Sequence, residues 1–113
     1  IDADAKAALD AHIAAMKREA KTRLAPEAPG SETGTYVHPH IFELERPEAL
    51  TKEVFGPILH VARYRAGDLD RVLDAIDATG YGLTLGVHSR IDETVERVIE
   101  RLSVGNVYVN RNM

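Results

Sequence analysis

A carboxylate and an aromatic ring stand close together in the stretch KEVFGP, directly before an apolar run that begins at Ile58. The carboxylate of Glu53 can accept two hydrogen bonds from vicinal hydroxyls such as those of a ribose, and the ring of Phe55 can pack on a sugar or a base. The dipeptide Gly56-Pro57 would fix the turn that presents both side chains. Taken alone, a solvated Glu53 and a core Phe55 are the simpler interpretation, with a nucleotide contact as the alternative.

Histidines suggest a second kind of chemistry. His38 and His40 form an H-x-H pattern in an extended segment, which would point both rings to one face. Such a pair can ligate zinc, and His60, His88 or Glu43 could complete the site. Nothing in the spacing requires a metal. We therefore predict no metal site and expect structural or surface histidines.

Two further kinds of site are disfavoured by local sequence. None of Ser31, Ser89 and Ser103 lies in the G-x-S-x-G elbow of a serine nucleophile. The glycines of GYGLTLG have the spacing G-x-G-x-x-x-G and lead into a strand, whereas a dinucleotide fingerprint leads from a strand into a helix. We interpret them as a helix stop followed by close backbone packing. The absence of cysteine excludes disulfides and a cysteine nucleophile within these residues.

Length and charge narrow the class of protein. The 113 residues are enough for one domain with one core. A net charge of −4 without a Lys/Arg cluster argues against a nucleic-acid surface. No apolar run is long enough to span a bilayer, and no signal peptide is visible, so we predict a cytoplasmic location. Because the chain starts at Ile1 and stops soon after the strand-like VYVN, we expect a piece of a longer protein.

The elements that must position KEVFGP begin with an alanine-rich segment over residues 2–20, which predicts a helix with Asp2 as its N-cap. Residues 21–25 favour a short strand, and the polar segment PEAPGSETG predicts a loop. Residues 35–44 favour an extended segment, in which Pro39 indicates either an edge position or a break between two short strands. Residues 48–54 favour a short helix. The buried face of the first helix is predicted to consist of Leu9, Ile13, Met16 and Ala20.

From Ile58 onward the pattern becomes regular. Strands are predicted over 58–64, 83–88 and 106–110, with helices between them, which gives β-α-β-α-β. This order predicts an α/β fold of three layers, with a mostly parallel sheet and flanking helices. In the first of these helices we expect a solvated face and its cap, formed by Asp68, Asp70, Asp74 and Asp77, and we expect Gly80 to end the helix. We expect Ser89 or Asp92 to cap the second helix. The inner face of the second helix is predicted to consist of Ile91, Val95, Val98, Ile99 and Leu102.

Three phrases carry a resemblance: EVFGPILHVARY, GYGLTLGVHSRIDET and VGNVYVNRNM. They resemble the aldehyde dehydrogenase superfamily in the segment after its catalytic cysteine. The match is closest to the delta-1-pyrroline-5-carboxylate dehydrogenase domain of bifunctional proline utilization A. The opening IDADAKAALDAHI is similar to the helix that follows the family's catalytic loop. The resemblance implies that residues 1–113 are part of the catalytic domain, with residues 58–110 as its β-α-β-α-β core.

The family implication is NAD⁺-dependent oxidation of L-glutamate γ-semialdehyde to L-glutamate in proline catabolism. By the resemblance, Glu53 matches the residue that binds the hydroxyls of the nicotinamide ribose, and Phe55 matches the one that packs beside that ribose. The family's cysteine nucleophile and general-base glutamate lie upstream, so no catalytic residue is assigned to this chain. By the same resemblance, the family places the loop that holds the substrate's carboxylate after the position of Met113. We therefore expect the isolated chain to be inactive.

The resemblance also implies partners. These are the NAD-binding domain and the remaining catalytic domain of the parent chain, an aldehyde substrate, a homo-oligomeric full-length enzyme, and FAD if the parent carries a proline dehydrogenase domain.

Glu53 and Phe55 precede the strand at Ile58, at its amino end, whereas open α/β sheets bind ligands at the carboxyl ends of strands. They could reach NAD only across a cleft from another domain. Two alternatives stay open: a non-catalytic α/β interaction module related to aldehyde dehydrogenases, and a metal-binding domain built on His38 and His40.

Overall fold

Three α-helices and five short strands in the described residues form a mixed α/β fold with small sheets. The computed structural model describes residues 1–27 and 34–112. Residues 28–33, which make up most of the predicted loop PEAPGSETG and include Ser31, lie outside the described residues. The chain divides into two compact units, Ile1–Arg63 and Tyr64–Met113, which are described separately below.

The first unit begins with helix α1, Ala3–Glu19. Asp2 is its N-cap, and the Asp2 side chain accepts a hydrogen bond of 2.7 Å from the backbone N–H of Ala5, as predicted. Three of the four residues predicted for the apolar face, Leu9, Ile13 and Met16, are buried on α1. The fourth, Ala20, is the C-cap of the helix and packs half-buried against the same core.

Three strands complete the first unit: β1 (Lys21–Leu24), β2 (His40–Leu44) and β3 (Ile58–Ala62). β2 lies in the middle, antiparallel to β1 and parallel to β3. Phe42 on β2 is fully buried and packs with Leu44 against the apolar face of α1. This core fixes α1 on one face of the sheet, and β3 is an edge strand of it.

Two predictions for the first unit are resolved by the backbone. Within residues 35–44 the only strand is β2, which begins at His40 directly after Pro39, so Pro39 precedes one strand and does not separate two. The edge alternative is wrong, because β2 lies between β1 and β3. The helix predicted over residues 48–54 is wrong. Only Pro47–Ala49 forms a single 3₁₀ turn, because a short segment gains too few hydrogen bonds to offset the cost of helix nucleation. The residues after it are therefore available as an extended approach to β3.

The second unit contains α2 (Leu69–Asp77), β4 (Thr84–Val87), α3 (Asp92–Arg101) and β5 (Asn106–Val109). β4 and β5 pair in parallel, and α3 connects them. Both helices contribute to one core. The buried residues of this core are Leu73, Val87, Val98 and Leu102.

The predicted α/β class is confirmed, and strand pairing within the described residues gives two small sheets. β3 pairs with β2, and β4 pairs with β5. The order of elements after Ile58 is as predicted. β3 belongs to the sheet of the first unit, and KEVFGP directly precedes it.

Helix starts in the second unit differ from the predictions. Asp68 occupies the N-cap position of α2, but its side chain makes no capping bond because its backbone, with φ −100° and ψ 15°, is not extended. The N-cap of α3 is Ile91, and neither Ser89 nor Asp92 caps that helix. Ile91 precedes the helix and is 63% exposed, and Ile99 is 41% exposed at the edge of the apolar stripe. The predicted inner face of α3 was thus too wide.

The glycine-rich segment between α2 and β4 has the structural role predicted for it. Gly80 follows α2 with a φ of +71°, a conformation that favours glycine. A Cβ on Gly82 would lie 2.8 Å from the backbone oxygen of Ser103, so only glycine allows this close approach. The segment is a helix stop and a packing contact.

The carboxylates of α2 are more than a solvated face. Asp70 pairs with Arg97, and Asp74 pairs with Arg101, so α2 and α3 are connected by two ion pairs with the same spacing on each helix. All four side chains are about half exposed, and exposed ion pairs contribute only about 0.2–1 kcal/mol each.

In the part of the chain that the structure describes, no helix is long and apolar enough to cross a membrane.

Candidate functional site: a groove beside KEVFGP

The Gly56-Pro57 turn is held at three points. The backbone N–H of Ile58 donates to the oxygen of Gly56 at 2.8 Å, and the N–H of His40 donates to the oxygen of Pro57 at 3.0 Å. Gly56 has a φ of +155°, and a Cβ there would lie 2.7 Å from Cδ2 of Leu9. Glycine is favoured because other residues would be strained at this φ, and a Cβ would also displace the side chain of Leu9. The residues just before this turn are thereby placed beside α1.

Glu53 and Phe55 lie on that approach, and both are exposed. Phe55 is 82% exposed. The simpler interpretation, which predicted Phe55 in the core, is therefore wrong. Lys52, Glu53 and Phe55 line a groove of about 550 Å³ whose opposite wall is α1. The residues of α1 that line it are Ala5, Ala8, Leu9, Ala11 and His12.

The walls of this groove differ in chemistry. α1 contributes mainly methyl and isobutyl groups, because alanine is repeated along the side that faces the groove. The opposite wall carries an ammonium group at Lys52, a carboxylate at Glu53 and an aromatic face at Phe55. An apolar wall with a few polar groups is typical of small-molecule sites. A carboxylate beside an exposed ring suits a sugar with vicinal hydroxyls.

A histidine pair at this groove was not predicted. Nε2 of His12 on α1 lies 2.8 Å from Nε2 of His60 on β3, and both rings are half-buried. Burial lowers the pKa of both imidazoles; the charge of Lys52 lowers the pKa of His12 further. The two residues are 48 positions apart, so no local pattern could have found the pair.

The other candidate histidines do not form a metal centre. His40 is buried, its Nδ1 lies 2.8 Å from the oxygen of His38, and its ring stacks on Phe42. Residues 1–27 and 34–112 contain no group of three or more side chains able to hold a metal ion. The predicted metal alternative therefore has no geometric support among these residues.

Glu43, proposed as a further metal ligand, has an ionic role. It pairs with Arg23 and accepts a hydrogen bond of 3.1 Å from Nε of Arg63. The hydrogen bond from Arg23 is the main cause that lowers the pKa of Glu43, and the charges of both arginines act in the same direction. Glu43 on β2 thus connects Arg23 on β1 with Arg63, the residue directly after β3.

Comparison with known proteins gives a family and two kinds of relative. The model of the aldehyde dehydrogenase family matches residues 1–113. The bifunctional protein PutA of Klebsiella aerogenes is 49% identical, with 100% of this chain and 9% of that protein covered. The 1-pyrroline-5-carboxylate dehydrogenase 1 of Halalkalibacterium halodurans is 35% identical, with 99% of this chain and 22% of that protein covered.

Solved structures give the same result. A variant of proline utilization A from Bradyrhizobium japonicum superposes with a TM-score of 0.93 at 63% identity, covering 100% of this chain and 11% of the other. A Thermus 1-pyrroline-5-carboxylate dehydrogenase with bound NAD superposes with a TM-score of 0.84 at 33% identity, covering 98% of this chain and 21% of the other. The chain therefore spans roughly a tenth to a fifth of the length of the proteins that it matches.

Proposed function

This chain belongs to the aldehyde dehydrogenase family, and from that premise we propose that it is part of the catalytic domain of an NAD⁺-dependent dehydrogenase that oxidises L-glutamate γ-semialdehyde to L-glutamate in proline catabolism. The relatives named PutA and 1-pyrroline-5-carboxylate dehydrogenase support this substrate. Bound NAD⁺ would accept the hydride that leaves the substrate. The chain's own contribution is one wall of the cofactor site.

The groove beside KEVFGP is the observation that carries the proposal. Glu53 would accept hydrogen bonds from the ribose hydroxyls, and the exposed ring of Phe55 would pack beside the same sugar. The lining of the groove matches the chemistry of a nucleotide, since a carboxylate and an aromatic face lie on one wall and the mainly apolar side of α1 forms the other. Gly56 allows the turn after Phe55 to lie against Leu9 of α1 with a positive φ.

The rest of the active site would come from the parent protein. We propose that residues 1–113 associate with an NAD-binding domain and with the remaining catalytic domain, and that these supply the cysteine nucleophile and the general base. A homo-oligomeric assembly, FAD on an accompanying proline dehydrogenase domain and a cytoplasmic location also remain proposals. Cell fractionation and the absorbance spectrum of the purified parent protein would test the last two.

The direct test is turnover by the complete protein. Purified parent protein should form NADH from NAD⁺ and L-glutamate γ-semialdehyde, whereas the 113-residue chain alone should not. Glu53→Ala in the parent should raise the KM for NAD⁺. A complete protein that folds but forms no NADH with this aldehyde would instead support a non-catalytic interaction module.

A further inference from the structure

The contact between His12 and His60 has no part in the proposed reaction. Their rings meet edge to face, with centroids 5.0 Å apart and an interplanar angle of 72°, and their Nε2 atoms are 2.8 Å apart. His12 lies on α1 and lines the groove, whereas His60 is the middle residue of β3. The contact therefore connects a wall of the groove to the sheet of the same unit.

Two imidazoles joined through their Nε2 atoms share one proton. In the neutral pair one Nε2–H donates to the other Nε2, so the rings are in different tautomers. One added proton preserves the bond, because an imidazolium Nε2–H still donates to a neutral Nε2. A second added proton makes both nitrogens donors and puts two positive charges within 2.8 Å. The contact between His12 and His60 thus survives one protonation and breaks at the second.

The surroundings of the pair oppose protonation. Burial lowers the pKa of His60 from its ordinary 6.5, and a charge on His12 would lower it further. Burial is also the main cause that lowers the pKa of His12; Lys52 adds to this effect, and Glu19 opposes it. β2 places the uncharged Phe42 opposite His60, and the β1 residue at that register position is also uncharged. Both rings are therefore held neutral in neutral solution.

The sign of the pH effect follows from these shifts. The unfolded chain, in which both histidines have ordinary values near 6.5, binds more protons than the folded chain below that pH. The contribution of His12 and His60 to stability is therefore complete above about pH 6.5 and decreases as the pH falls below it. Acid should act first on the attachment of α1 to β3.

We propose that His60 is a positioning residue that holds His12 in the wall of the groove, and that double protonation of the pair loosens α1 and weakens dinucleotide binding. The positioning role depends only on the contact between the two rings. The binding effect rests on the proposed function, because it requires NAD⁺ in the groove lined by Glu53 and Phe55.

Two substitutions in the complete protein separate protonation from loss of the contact. In His60→Gln the amide can donate to a neutral His12 or accept from a charged one, so the contact persists at every pH. In His60→Leu the contact is lost at every pH. His88→Gln is the matched control, because His88 is exposed and belongs to the other unit.

Hydrogen exchange of peptides that cover α1 in ligand-free protein measures the attachment, compared between variants at about pH 5 and about pH 8. At the higher pH, wild type and His60→Gln should exchange alike, and His60→Leu roughly two- to tenfold faster, which corresponds to one net hydrogen bond. At the lower pH, wild type should approach His60→Leu while His60→Gln stays slow. Identical exchange of wild type and both His60 variants at both pH values would overturn the proposal.

Calorimetric titration with NAD⁺ tests the link to the groove. The dissociation constant should rise in acid for wild type and His88→Gln, and remain nearly constant for His60→Gln. If Glu53→Gln leaves NAD⁺ binding unchanged while His60→Leu still speeds exchange in α1, the proposed function fails and the positioning role stands. If Glu53→Gln weakens binding while the His60 variants change nothing, the positioning role fails and the proposed function stands.

Discussion

Replacing Glu53 by alanine in the complete protein removes the carboxylate that we propose accepts hydrogen bonds from the ribose hydroxyls of NAD⁺. The carboxylate can accept a hydrogen bond from each of two vicinal hydroxyls, and it lies on an exposed wall of the groove. Hydrogen bonds to a charged group contribute more than neutral ones, but exposure to water reduces the net value, which suggests a loss of about 1–3 kcal/mol for both together. The dissociation constant for NAD⁺ should then increase about 5- to 150-fold.

Isothermal titration with NAD⁺ measures this loss without interference from the chemical step. Glu53→Gln keeps one acceptor oxygen and should fall between wild type and Glu53→Ala. The matched control is Glu48→Ala, since Glu48 is an exposed glutamate of the same unit that does not line the groove. If Glu53→Ala binds NAD⁺ as tightly as Glu48→Ala, the carboxylate does not contact the ribose and the reasoning is refuted.

Four further outcomes are expected. Phe55→Ala should weaken NAD⁺ binding in calorimetry yet leave the unfolding midpoint unchanged, because the ring is 82% exposed; a lower midpoint would mean a core role. Gly56→Ala should cost about 1–3 kcal/mol in urea unfolding, since φ is positive there; no loss would refute the turn argument. Leu73→Ala, 2% exposed, should cost about 2–5 kcal/mol, with the 82% exposed Leu83→Ala as a neutral control. Glu43 has a lowered pKa, so its contribution to stability is present above about pH 4.5 and is lost below it; Glu43→Gln should flatten that acid limb of the unfolding profile, and an unchanged limb would contradict the ion pairs.

Elements whose cause is local could be predicted from the sequence. The helix at residues 3–19 follows from an Asp2 cap, abundant alanine and apolar residues at helical spacing, all within a few turns of one another. The start of β2 directly after Pro39 agrees with the missing N–H of proline. The order of strands and helices after Ile58 is similarly local, because each element carries its own periodicity.

Features that depend on distant partners could not be predicted. The parallel pairing of β3 with β2, and the hydrogen bond between His12 and His60, join residues far apart in sequence. The ion pairs between α2 and α3 had a usable signal, since Asp70 and Asp74 share the four-residue spacing of Arg97 and Arg101. The exposure of Phe55 had no such signal, because an aromatic residue before a strand is more often buried and its 82% exposure depends on the surrounding tertiary structure.

The central claim is that KEVFGP forms one wall of an NAD⁺ site. An experimental structure of the complete protein with NAD⁺ tests it most directly, through the distance from the carboxylate oxygens of Glu53 to the hydroxyl oxygens of the nicotinamide ribose. We expect hydrogen-bond distances of about 2.5–3.0 Å between these oxygens, with the ring of Phe55 against the same sugar. A nicotinamide ribose bound elsewhere, with Glu53 and Phe55 facing only solvent or protein, would contradict it.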